Sequence, residues 1–418
     1  MLRDEQVQDI VVIGAGIIGI NVALALQRHG ADVLVFDRTG VGAEASQSNA
    51  GAFAFSDIVP LATPGVLWRA PRWLLDPLGP LSIPPSYALP LLPWLLRFFR
   101  ASLPDRYAAG LAAQAALMTL SREALERQVA NVDAGHLLLR EGQLQIFDSE
   151  QTFRASLPVW EERARHGIRF DLLHGADALA KLQPGLDPRF KHAGFTPDWL
   201  NTCDPAAWLA HLAETFRQRG GRIERAEVVA LKAEENSVHL RLSGREVQSA
   251  RQVIVAAGAW SHHLARTLGD RIPLETERGY NTTLPEGAFD LRTHLTFSDH
   301  GFVVSRINGG VRVGGAVELG GLRRPPDFRR SQVLLAKAAR FLPGLRTEGG
   351  TEWMGFRPSL PDSLPIIGRS PHCARVIHAF GHGHLGLTQA AATGEIVAAL
   401  ARDIPAPIDL TPFSANRF

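Results

Sequence analysis

Gly14, Gly16 and Gly19, followed by Asp37, have the types and spacing to hold a dinucleotide. Residues 9–37, DIVVIGAGIIGINVALALQRHGADVLVFD, read as a buried strand (10–13), a tight glycine turn, a helix to about His29, and a second buried strand (33–36) that ends in the acid. Gly14 permits the sharp turn, Gly16 lets a pyrophosphate approach the backbone, and Gly19 lets the helix pack closely on the strands. The first helical amides, at Ile17 and Ile18, and the positive dipole end face the phosphates. Asp37, about twenty residues after the last glycine, is placed to take ribose hydroxyls, with Arg38 beside it. The motif does not say which dinucleotide is held.

A second glycine-rich turn lies near the other end of the chain. VIHAFGHGHLGLTQAAATGEIVAAL predicts a strand to Phe380, a turn with Gly381, Gly383 and Gly386, and a helix from about Thr388. A glycine turn at a helix N-terminus is again an anion site, so residues 383–388 (Gly383, His384, Leu385, Gly386, Leu387 and Thr388) are expected on a cofactor. His382 and His384 lack the further ligands that a metal needs. RQVIVAAGAWSHHLARTL adds a third strand, glycine and helix junction, placing Ala257, Gly258 and Trp260 near the same ligand. Val228, in the strand region before it, is a contact for adenine. The small residues after Asp37, namely Ser46, Ser48, Asn49, Ala50 and Gly51, suit close contact, with a short helix expected over 44–49.

These pieces need a scaffold. The chain has 418 residues, 45% of them hydrophobic, enough for two domains with their own cores. A net charge of +2 without a basic tract gives no case for nucleic acid. Cys203 and Cys373 have no CxxC or histidine spacing, which fits a reducing, cytoplasmic compartment and no metal. MLRDEQVQD runs into the first strand and leaves no room for a signal peptide. No segment reaches the roughly 18 apolar residues of a spanning helix.

Helical spacing predicts helices over 108–129, 150–166 with an interruption near Pro158, 205–219 capped by Asp204, and 328–342. Period-two runs over 227–247 and 275–318 predict strands, the latter an antiparallel meander. Residues 60–107 alternate proline with large apolar side chains, and Pro84, Pro85, Pro90 and Pro93 are expected to prevent a long helix. Trp68, Trp73, Trp94, Phe98 and Phe99 beside Arg69, Arg72, Arg97 and Arg100 read as a cap facing the active site. The alternative is an anchor on the inner-membrane surface.

VVIGAGIIG, VIVAAGAWS, GFRPSLPDSLPIIG and FGHGHLGLTQAAATG, in that order across nearly the whole chain, resemble the D-amino-acid oxidase superfamily of flavoproteins. WLLDPLGPL to PWLLRFFRAS is similar to its bacterial D-amino acid dehydrogenase branch. The resemblance implies an α/β plus α+β fold: a Rossmann-like FAD-binding domain (1–62, 200–270 and 355–418) and a discontinuous substrate domain (63–199 and 271–354) on a mainly antiparallel sheet. It implies FAD, with the adenine end on the first βαβ unit and the reactive ring near the C-terminal turn. It carries the substrate-binding arginine over to Arg357 of GFRP and an assisting tyrosine to Tyr280 of RGYN. Arg278, which departs from the lysine-glycine version of alanine-type dehydrogenases, joins them as a catalytic candidate. The implied activity is FAD-dependent oxidation of an amino acid, a D-enantiomer or a D-proline derivative, with a quinone or another carrier as electron acceptor. The rivals are a glycine- or sarcosine-type oxidase that uses oxygen, and a non-catalytic flavin-bearing subunit.

Overall fold

The computed structural model describes residues 7–65, 79, 81–244 and 247–418. The chain opens with β1 (Gln8–Ile13), α1 (Ile17–Arg28) and β2 (Val33–Asp37), as the glycine spacing predicts. Both strands are apolar on both faces and almost wholly buried, which suits the interior of a parallel sheet. Gly19 has no room for a side chain, since a Cβ there would lie 1.8 Å from the Gly14 carbonyl oxygen. Helix α1 therefore sits directly on the turn.

Residues 44–49 form successive turns instead of the expected short helix. Their side chains compete with helical bonding: Ser46 Oγ accepts from the Ile17 amide, and Asn49 Oδ1 accepts from the Gly51 amide. Next come β3 (Ala52–Phe53), β4 (Leu81–Ser82), α2 (Pro85–Ala101) and α3 (Pro104–Val132). Helix α2 overturns the expectation that its prolines forbid a long helix. Pro85 takes the first helical position, where no N–H is needed, while Pro90 and Pro93 each delete one internal bond. Leu91 and Trp94 offset that loss by burial against Leu319. On the outer side Leu89 is 79% exposed, and Leu92, Leu96 and Phe99 are exposed with it. Trp68, Arg69, Arg72 and Trp73 lie outside the described residues.

The chain continues through β5 (Leu138–Leu139), β6 (Gln143–Phe147), α4 (Glu150–Arg165), β7 (Asp171–His174), α5 (Ala176–Leu182), β8 (His192–Thr196) and β9 (Leu200–Thr202). Helix α4 runs unbroken through Pro158, against expectation, because Pro158 and Arg154, whose carbonyl it leaves unpaired, both face solvent. Asp204 caps α6 (Pro205–Gln218) by accepting from the Ala206 amide at 2.8 Å. There follow β10 (Arg222–Arg225), β11 (Val228–Ala233), β12 (Val238–Leu242), β13 (Gln248–Val255) and α7 (Ser261–Thr267). The last part holds β14 (Glu275–Leu284), β15 (His294–Phe297), β16 (Phe302–Ile307), β17 (Gly310–Leu319), α8 (Arg329–Phe341), β18 (Thr351–Ser359), β19 (Ile366–Arg369), β20 (Val376–Phe380) and α9 (Gly386–Ala401).

Two large sheets result. In the first, β10, β2, β1, β13 and β20 lie parallel in that order, with the β11–β12 hairpin on the first half of β13 and β19 beyond β20. Apolar clusters cover both of its faces, and α1 and α9 pack together over one of them. The second follows β18-β14-β17-β16-β15-β6-β8-β7 and is antiparallel except for β15 on β6 and the short edge strand β4 on β17. The fold is thus α/β plus α+β. The break expected between residues 354 and 355 falls inside β18, which pairs with β14 from Glu275↔Ser359 to Thr283↔Thr351. Among the described residues no helix is long and apolar enough to cross a membrane.

Because α1 rests on Gly14 without clearance, Gly19→Ala is expected to overpack the turn and cost about 3 kcal/mol or more. Urea unfolding followed by tryptophan fluorescence checks this, and an unchanged midpoint would show that the helix can retreat.

Candidate active site

A cavity of about 860 Å³ is walled by both sheets, within the usual range for ligand sites. From the first sheet and its turns come Gly14, Gly16, Ile17, Ile18, Asp37, Arg38, Val228, Ala257, Gly258 and Trp260. The loop after β2 adds Ser46, Ser48, Asn49 and Ala50, and the C-terminal turn adds Gly383, His384, Leu385, Gly386 and Leu387. Tyr280 and Arg357 belong to the wall from the second sheet. Gly19, Gly51, Thr388 and Arg278 do not line it. Gly19 is packed on Gly14. Gly51 (φ 68°) turns the chain so that its carbonyl accepts from the Thr202 amide. Thr388 Oγ1 accepts from the Ala54 amide at 3.0 Å.

At the βαβ turn, α1 has no side-chain cap from Gly16, and only the Ile17 amide is taken by Ser46 Oγ, at 3.0 Å. Asp37 does more than spacing implies. Its Oδ2 accepts from the Ala15 amide at 2.8 Å, and its Oδ1 from the Thr39 and Gly40 amides at 2.9 Å each. The carboxylate therefore ties the glycine turn to the end of β2 and keeps a lone pair on Oδ2 for a ribose hydroxyl. The Arg38 guanidinium lies 3.7 Å over the Trp260 ring and pairs with Glu44 at 2.5 Å.

The opposite wall depends on which face of β14 each side chain takes. Odd-numbered residues meet the cavity side: a Cβ on Gly279 would fall 2.2 Å from Arg357 Nη2, and Asn281 Nδ2 donates to the Ser48 carbonyl at 2.8 Å. Arg278 and Tyr280 take the other face, which corrects both catalytic expectations. Arg278, fully buried, pairs with Glu318 at 3.0 Å and donates to the Arg324 carbonyl. The Tyr280 hydroxyl donates to Glu318 at 2.6 Å and accepts from the Asp327 amide. Burial and the Glu318 carboxylate push this phenol up to about 12. Tyr280 thus touches the wall without offering it a hydroxyl.

Arg357 does face the cavity. Opposite β14, strand β17 gains an extra residue between the pairs Arg278↔Glu318 and Tyr280↔Gly315, a bulge in which Ala316 takes a left-handed φ of 56°. The Ala316 carbonyl accepts from Arg357 Nη1 at 3.1 Å. Nε and Nη2 have no hydrogen-bond partner among the described residues. Burial pushes the guanidinium's pKa down, and Glu277, directly across in register, opposes that shift.

Glu277, Asp57 and Arg163 escaped sequence reasoning. Glu277 Oε2 meets His384 Nε2 at 2.5 Å. Burial alone would raise its carboxyl, but His384, the Ser359 hydroxyl and Arg357 bring it down to about 2. On the cavity wall, Asp57 pairs with Arg163 at 3.2 Å, and Arg163 also bonds Gln145 and the Ser56 carbonyl. No local signal marks Asp57 or Arg163. Glu277 was detectable only as an acid of the same strand parity as Gly279. Among the described residues no group of acids, histidines and cysteines could hold a metal.

Residues 9–400 match the family described as DAO, FAD dependent oxidoreductase. The chain belongs to this family. It is 34% identical to a D-amino-acid oxidase of Bradyrhizobium diazoefficiens, over 98% of both chains. It is 32% identical to a D-amino acid dehydrogenase of Xylella fastidiosa, over 94% of this chain and 91% of the other. Glycine oxidase from Geobacillus kaustophilus has the same fold, with a TM-score of 0.78 at 20% identity and 98% of each chain covered. So has L-proline dehydrogenase from P. horikoshii, with a TM-score of 0.74 at 18% identity over 99% of this chain and 98% of that one.

The family's cofactor, FAD, fits the walls that this chain presents. Gly14 and Gly16 leave backbone bare, and a Cβ on Gly16 would already sit 3.2 Å from Ser46 Oγ. Both α1 and α9 start without a side-chain cap, so each offers amides and a positive dipole end.

Tyr280→Phe is expected to cost about 1.5–3 kcal/mol of stability through the lost bond to Glu318, and to leave benzoate affinity within roughly twofold. Urea unfolding and titration of the flavin spectrum measure the two effects. A tenfold loss of benzoate binding would return the tyrosine to the site.

Proposed function

We propose that this flavoprotein oxidises an α-amino acid at Cα, a D-enantiomer or a cyclic secondary amine of the D-proline kind. The observation that carries this reading is Arg357: a guanidinium on the cavity wall, braced by Ala316 through Nη1, with Nε and Nη2 left for a carboxylate. A planar fork of this kind holds a carboxylate by two parallel bonds. The relatives named D-amino-acid oxidase and D-amino acid dehydrogenase support the substrate class. When bound, FAD supplies the two-electron acceptor for the hydride leaving Cα. Gly14, Gly16, Asp37 and Val228 would hold its adenosine and pyrophosphate, and the turn at Gly383–Leu385 its ring. An acyclic imine product then hydrolyses to a keto acid and ammonia.

We assign a quinone or another carrier as the acceptor that reoxidises the flavin. The relative named as an oxidase favours oxygen as the second reading, and peroxide formed in step with substrate under air would decide for it. Anaerobic bleaching of the flavin by a panel of amines and amino acids tests the activity itself. If none bleaches it, the protein is not an amine oxidoreductase. Arg357→Ala is expected to remove about 1.5–3 kcal/mol of carboxylate binding, weakening substrate roughly tenfold or more while flavin stays bound. Unchanged kinetics would sink the assignment.

We further propose a cytoplasmic protein whose helix α2 touches the inner face of the membrane. Leu89, Leu92, Leu96 and Phe99 form an exposed apolar stripe beside Arg97 and Arg100, the pairing that anionic lipid favours. Co-sedimentation with phosphatidylglycerol vesicles is expected to fall roughly threefold or more in Leu96→Glu. Equal sedimentation of both proteins, or none by the wild type, would refute the contact.

A further inference from the structure

We propose that His384, held by Glu277, takes the proton from the substrate's ammonium group. The inference rests on the amino-acid reading above. Near neutral pH an amino acid carries an ammonium, which has no lone pair, and an imine cannot form until that proton has gone. Some group in the cavity must accept it.

His384 lies in the 3-10 turn Gly383–Leu385 between β20 and α9, with its side chain 36% exposed on the cavity wall. Its Nε2 is 2.5 Å from Glu277 Oε2. Glu277 is 5% exposed, does not line the cavity, and sits across from Arg357 in the β14–β18 register. A buried carboxylate behind one ring nitrogen fixes the tautomer: Nε2 carries hydrogen toward Glu277, and Nδ1 carries the lone pair. Nδ1 has no hydrogen-bond partner among the described residues. The imidazole is therefore anchored at its back and open at its front, and the carboxylate behind it belongs to the strand residue opposite Arg357.

The charged groups around it rank as follows. Glu277, with its acid constant held down to about 2, remains a carboxylate and stabilises an imidazolium without competing for the proton. Asp57 also lines the cavity; burial raises its carboxyl, and Arg163 and His384 oppose that shift. Its bond to Arg163 at 3.2 Å makes it the weaker base candidate. His382, the other imidazole of the turn, is buried against Thr393 Oγ1 at 2.9 Å, and burial pushes it down to about 3, so it stays neutral. In the step itself an ammonium N–H bond breaks, its electron pair stays on nitrogen, and an Nδ1–H bond forms. No electrons are exchanged. The lone pair so exposed closes the C=N bond as the Cα–H pair departs.

The test uses the FAD-loaded enzyme and D-proline or D-alanine, whichever bleaches it, in anaerobic rapid mixing from pH 5.5 to 10. The wild type is expected to lose bleaching rate on the acid side. In His384→Gln the limb is expected to move up to the pKa of the free amine, with a loss on the order of 100-fold at pH 7 that recovers at high pH. Glu277→Gln, removing the carboxylate that fixes the tautomer, is expected to lower the bleaching rate roughly tenfold or more. Benzoate, which cannot react, gives a second readout: it should bind the wild type more tightly below the limb, where the imidazolium adds charge, and bind His384→Gln with no such dependence. A wild-type limb retained in His384→Gln, or a limb displaced only in Asp57→Asn, overturns the assignment. Bleaching that persists with an unmoved limb removes this proposal alone, whereas a wild type that no amine bleaches removes the amino-acid reading and this proposal with it.

Discussion

The register that sets Glu277 opposite Arg357 across β14 and β18 is the constraint on which the reactive half of the cavity depends. Two opposite charges withdrawn from water lose hydration that their mutual attraction and their other partners must offset. Here the surroundings supply part of that offset. Glu277 also holds His384 of the C-terminal turn, and Arg357 also binds the carbonyl exposed by the bulge at Ala316. One strand pair thereby joins the antiparallel sheet to the glycine turn at the start of α9.

The reverse face of the same strand solves a different problem. Arg278, Glu318 and Tyr280 form a cluster whose polar atoms are turned toward one another, in which one carboxylate serves a guanidinium, a phenol and, at 3.3 Å, Arg324. Its chemistry resembles that of a substrate site, but the Glu318 carboxylate, the Tyr280 hydroxyl and both terminal nitrogens of Arg278 are already engaged. Burial and polarity alone do not distinguish such a cluster from an active site. What distinguishes Arg357 is that part of its hydrogen-bonding capacity is left open toward a space large enough for a ligand.

The nucleotide half is governed by backbone geometry. Gly14 and Gly19 interlock without clearance, and Asp37 gathers the amides of Ala15, Thr39 and Gly40 into one acceptor. The acid at the end of β2 is thus a brace for the turn as well as a contact for ribose. Loop residues 46–51 are clamped from both sides, by α1 through Ser46 and by the second sheet through Asn281 and Arg312. The clamp places small side chains along the cavity.

By itself the sequence determined the parts whose signals are short-range. Apolar periodicity, three closely spaced glycines and a terminal acid define β1, α1 and β2. The same kind of signal found the turn before α9, the cap at Asp204 and the strands β14 to β17, but the expected meander is corrected, because β14 pairs with β17 and not with β15. Only the tertiary structure decided the rest. A strand's two faces look alike until its register is known, so Arg278 and Tyr280 passed for site residues and Glu277 did not. The partnership of Glu277 with His384 joins residues 107 positions apart, and nothing local to either encodes it. Helix α2 persists through Pro90 and Pro93 because Leu91 and Trp94 bury against Leu319, a packing gain that backbone propensity cannot anticipate. Local rules describe what a segment prefers, and contacts between distant segments settle which preference prevails.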